Sequence, residues 1–70
     1  PTINGGSDIF VTEVVNGINI AVATPQYVRV LSSSGAMLYS GMVESAVDVN
    51  LPNHGIYVVA GETTSLKIMY

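Results

Sequence analysis

The side chains that could do covalent or acid–base chemistry are few and far apart. His54 is the single histidine, cysteine is absent, and the acids are Asp8, Glu13, Glu44, Asp48 and Glu62. A serine nucleophile needs a base within hydrogen-bond reach and a third group that orients that base. His54 would have to be the base, and it sits inside the turn Pro52-Asn53-His54-Gly55. Asp48 precedes it by six residues, on a strand whose alternation turns the acid toward solvent. The serines are plentiful, but none occupies a Gly-x-Ser-x-Gly elbow. One imidazole and five scattered acids make neither a facial triad nor an Asp-rich calcium loop. Paired carboxylates for glycoside cleavage need a pocket to hold the sugar, and 70 residues leave little interior for one. The pattern predicts a module that is not an enzyme and carries no catalytic, metal or cofactor site. His54 reads as an ordinary exposed turn residue.

Tyr27, Tyr39 and Tyr57 offer a different chemistry. A row of exposed rings could stack sugars, which is the alternative reading: a structural or adhesive β-sandwich that binds glycan or protein and is appended to a larger surface protein or enzyme. Strands favour tyrosine in any case, because its body packs and its hydroxyl reaches a polar partner. Packing is therefore the preferred reading of these rings. Charge excludes more. Only 10% of residues are charged and the formal net charge is -3, with Arg29 and Lys67 the two cations. Two separated cations cannot form the basic patch on which nucleic-acid binding depends, nor the polybasic cluster that anionic lipid attracts. The longest apolar runs fall far short of the ~20 residues that span a bilayer as a helix. Nucleic acid and membrane insertion are both set aside. The chain begins at Pro1 and reads as a piece of something longer, with any export signal upstream.

Elements that could position these residues are marked by regular punctuation. Asn16-Gly17, Thr24-Pro25-Gln26, Ser33-Ser34-Gly35, Pro52-Asn53-His54-Gly55 and Gly61-Glu62-Thr63 are turn chemistry. Between them lie short runs of Val, Ile, Tyr and Thr, the side chains that suit a pleated surface. Ile18–Val22 and Val43–Leu51 alternate with period two, the mark of a half-buried antiparallel strand. In the second run Glu44, Asp48 and Asn50 take the wet face. Asn16-Gly17 predicts a type I′ hairpin turn joining Ile9–Val15 to Ile18–Ala23. Val28-Arg29-Val30, Met37-Leu38-Tyr39, Ile56–Ala60 and Ser65–Tyr70 complete seven strands. The expectation is an all-β, antiparallel, Ig-like sandwich over residues 8–70 with no helix, preceded by a polar, Gly-rich linker at residues 1–7. Its apolar fraction of 49% must supply the stability, since disulfides and structural zinc are both absent.

From Val28 onward the order of motifs is that of a known family. Val28-Arg29-Val30-Leu31 leads to the turn at Gly35, then Met37-Leu38-Tyr39-Ser40-Gly41, an alternating strand ending at Leu51, Gly55-Ile56-Tyr57-Val58-Val59, and last Lys67-Ile68-Met69-Tyr70. This resembles the C-terminal sorting domain of type IX secretion cargo (the Por secretion system type A sorting domain) of Bacteroidetes-type bacteria, and the hairpin at Asn16-Gly17 fits the same plan. The resemblance implies a non-catalytic address label on an upstream cargo domain. The cargo would reach the periplasm by its own signal. The outer-membrane secretion machinery would then recognise this domain, and a surface sortase would cut ahead of it and anchor the cargo at the cell surface. By the same resemblance, Gly55, Tyr57, Val59, Lys67, Ile68, Met69 and Tyr70 are the recognition residues, and Asn16, Gly17 and Gly35 hold turns. A terminal strand can present its backbone and side chains to a partner, and open sheet edges also allow a homodimer.

Overall fold

The computed structural model describes residues 2–5, 8–62 and 64–70, and their regular secondary structure is strand only. In chain order the strands are β1 (Thr2–Gly5), β2 (Ile9–Val14), β3 (Gly17–Val22), β4 (Gln26–Ser32), β5 (Met37–Val43), β6 (Ala46–Asn50), β7 (Ile56–Ala60) and β8 (Ser65–Met69). They form two antiparallel sheets, β1-β2-β3-β6 (sheet A) and β5-β4-β7-β8 (sheet B). The chain passes between sheets from β3 to β4, from β5 to β6 and from β6 to β7. Those passages interlock the pairs β3–β6 and β4–β7, the Greek-key wiring of an Ig-like sandwich.

Alternation sets what lies between the sheets. Ile9, Val11, Ile18 and Ile20 of sheet A meet Val28, Val30, Val59, Leu66 and Ile68 of sheet B in one buried cluster. Burying such a side chain fully stabilises the fold by about 1.5–3 kcal/mol. Nearly all these residues are β-branched, stiff at χ1 and suited to a pleat. Tyr57 is the aromatic of the buried cluster, 5% exposed. Its hydroxyl donates to the Asn53 carbonyl oxygen at 2.5 Å, tying the β6–β7 crossover to the head of β7. That is the tyrosine corner of Ig-like sandwiches.

The seven strands expected from Ile9 onward form, and four details differ from the sequence reading. Thr2–Gly5, expected within a linker, pairs antiparallel with β2 as an outer strand of sheet A; the rest of the expected linker apart from these residues lies outside the described residues. Polarity and glycine hid this strand, because its partner supplies the backbone hydrogen bonds that make it. Val43–Leu51 is not one strand. Val43 ends β5 in sheet B, Glu44 and Ser45 cross over, and β6 starts at Ala46 in sheet A. Alternation continues through the crossover because both sheets bury toward the same interior: Val43, Val49 and Leu51 are all buried.

The first hairpin is displaced by one residue. Val14 pairs with Gly17, so the two loop residues are Val15 and Asn16, not Asn16 and Gly17. Only Asn16 has positive φ, at 65°, at the second loop position as in a type II turn rather than I′. Val15 is left in solvent. Gly17 is required for a different reason: a Cβ there would drive into the Val49 carbonyl of the neighbouring β6. Lastly, Gln26 was expected in a turn, yet it opens β4 and is 4% exposed. Its Nε2 donates to the Thr24 carbonyl at 3.3 Å and its Oε1 accepts from the Glu62 amide at 3.1 Å. Side-chain amides with both ends satisfied can be buried.

Candidate recognition face

The two segments that the resemblance singles out are separated in sequence only by residues 60–66, and they form the two arms of one hairpin. β7 and β8 pair in register Ile56↔Met69, Tyr57↔Ile68, Val58↔Lys67 and Val59↔Leu66. Beyond the strands, Gly55 and Tyr70 exchange both backbone hydrogen bonds, at 3.0 and 2.8 Å. His54 stacks on the Tyr70 ring, centroids 4.6 Å apart and planes 16° from parallel. The imidazole that might have served a catalyst thus packs against the end of the last strand.

Pairing divides the seven recognition candidates by face. Tyr57, Val59 and Ile68 are buried and can only shape the surface from beneath. Gly55 closes the strand pair, and Tyr70 packs at the core margin. Lys67 and Met69 point outward, Met69 with 71% of its surface exposed. Gly35 has φ 94° and turns β4 into β5, its amide donating to the Ser32 carbonyl at 2.9 Å. A side chain there would be strained though the space is open.

Around Lys67 and Met69 the outer face of sheet B is continuous. Across strands, Met37, Leu31, Val58 and Lys67 form one row, and Ser40, Arg29, Ala60 and Ser65 the next. Met42 and Tyr27 pair beyond them, Ile56 and Met69 at the other end. The Tyr27 hydroxyl bonds the Ser40 hydroxyl on β5, and its amide donates to Glu62 at 2.9 Å. All three methionines and both cations of the chain therefore sit on this one face. Sequence reasoning missed Leu31, Met37 and Met42 as surface. A bulge beside Leu31 lets Leu38 pack against the core and leaves Met37 in solvent, which alternation alone does not reveal.

No row of tyrosines is exposed. Tyr27 faces outward at 44%, Tyr39 packs against the core and across Gly41, and Tyr57 is inside. Among the described residues no cavity is found and no three His, Asp or Glu side chains converge as metal ligands. Comparisons with protein-family models, with curated proteins and with solved structures return no match.

Proposed function

We propose that this chain works by being recognised, as a non-catalytic sorting and anchoring module that directs an attached secreted cargo through the outer membrane to the cell surface. Its partners are then the secretion machinery and a surface sortase. The observation that carries this reading is the pairing of Gly55–Val59 with Lys67–Tyr70. The two motifs are the arms of one hairpin and offer one outward surface, with Tyr70 fixed by Gly55 and His54.

The same geometry chooses the test. Removing residues 67–70 would also remove Ile68 from the core, and lost export would then report lost folding. Outward substitutions avoid this. In a bacterium with type IX secretion, a reporter fused ahead of this chain reaches the surface. Lys67→Glu and Met69→Ser each lower surface delivery about tenfold, the effect of removing one interface anchor, with the circular dichroism and melting midpoint of the domain unchanged. Delivery at the unsubstituted level for both variants contradicts the proposal.

A further inference from the structure

The chain is acidic overall, yet its strands of sheet B hold both cations and no carboxylate. Sheet A is the reverse, with Glu13 and Asp48 and no cation. Arg29 and Lys67 stand on the outward side of sheet B, two strands and one side-chain row apart, or about 12 Å by strand geometry. Leu31, Val58 and Met37 lie beside them, and Met69 marks the end of the patch. Methionine and arginine are enriched in protein interfaces, and the flexible thioether adapts to irregular partners.

From this charge separation we infer that the outer face of sheet B docks a protein surface whose apolar side chains are flanked by carboxylates. The inference rests on the recognition reading above, extends its surface to β4 and β5, and names the partner's chemistry. Charge argues against a second copy placed face to face, which would set the cations of the two copies together, while the one carboxylate seen bound at this sheet, Glu62, is already held at the Tyr27 amide. Two cations are also too few to hold a bilayer or a nucleic-acid backbone. Carboxylates four residues apart on an extended strand are about 13 Å apart and share a side, which matches the spacing of Arg29 and Lys67.

The test is a titration of the isotope-labelled 70-residue chain with a synthetic extended peptide bearing Glu-x-Leu-x-Glu, read by amide chemical shifts. Shifts are expected in β4, β7 and β8, with affinity falling about tenfold when both glutamates become glutamine. The double variant Arg29→Glu, Lys67→Glu should lose the peptide and take up its lysine counterpart. Should that variant misfold, Arg29→Gln, Lys67→Gln is expected to lose the acidic peptide alone. Equal binding of the glutamine peptide, or shifts confined to sheet A, overturns the inference. So do sheet B shifts that appear on concentrating the chain alone, which indicate a second copy. Binding of phosphatidylglycerol vesicles without binding of the peptide overturns it in favour of lipid. Secretion machinery is absent from this assay, so its failure leaves the surface-delivery result standing, and the reverse holds too.

Discussion

The outer faces of the two sheets are built from the same alternation and end up chemically opposite. On sheet A, Thr12, Asn19 and Asp48 form one cross-strand row, and the Asn19 amide donates to Asp48 at 2.8 Å. The Asn19–Asp48 pair satisfies its polar row, and among the described side chains its large exposed apolar members, Phe10 and Val14, both stand on β2. On sheet B the charged residues of the strands are both cations, Arg29 and Lys67, and the outward apolar side chains are spread over four strands. Period-two patterning fixes which residues face outward; it leaves free what those residues are. The difference between the faces is thus the part of the design that folding did not require.

Substitutions can break or sharpen this contrast. The largest effect should come from Gly17→Ala, where the added carbon meets the Val49 carbonyl. Destabilisation of about 2–3 kcal/mol is expected, read as a lower urea midpoint. Sheet B makes no such demand at Gly35, so Gly35→Ala should cost only about 1 kcal/mol of backbone strain. Next is Gln26→Ala, which leaves the Glu62 amide without its partner where the β3–β4 and β7–β8 turns meet. A loss of about 2 kcal/mol is expected, and Gln26→Glu should not rescue it: a carboxylate could accept from the Glu62 amide but would bury a charge against the Thr24 carbonyl. Tyr57→Phe removes one hydrogen bond beneath the outer face of sheet B and should cost about 1 kcal/mol by the same urea measurement.

The smallest effects on stability fall on the faces themselves. Asp48→Lys on sheet A should shift the melting free energy by no more than about 0.5–1 kcal/mol, because its partner Asn19 stays in water. Surface delivery of a fused reporter should not change. Arg29→Glu on sheet B should be as mild for stability and should depress delivery. A contrast of this kind separates what holds the sandwich from what is read on it.

Much of this was legible in the sequence, and the misses have physical causes. Strand runs, the buried valines around Arg29, and the turn at Gly35 follow from local chemistry. The hairpin register did not, because Gly17 answers to a strand more than thirty residues away in sequence rather than to its own turn. Nor did the break at Glu44-Ser45, where the inward phase is the same in both sheets and alternation cannot register the change. Of the candidate recognition residues, the sequence located both segments; the structure showed that Lys67 and Met69 face out while Tyr57, Val59 and Ile68 face in. Arg29 and Lys67 could be counted from composition, but their shared face is a product of strand order.

One matched pair tests the central claim most directly. Phe10 on sheet A and Met69 on sheet B are both large, apolar and exposed, and serine at either should leave the fold intact. Surface delivery of a reporter fused to each variant, measured by protease accessibility on whole cells, should be unchanged for Phe10→Ser and reduced about tenfold for Met69→Ser. Equal delivery by the two variants, or loss with Phe10→Ser alone, would contradict a recognition face on sheet B.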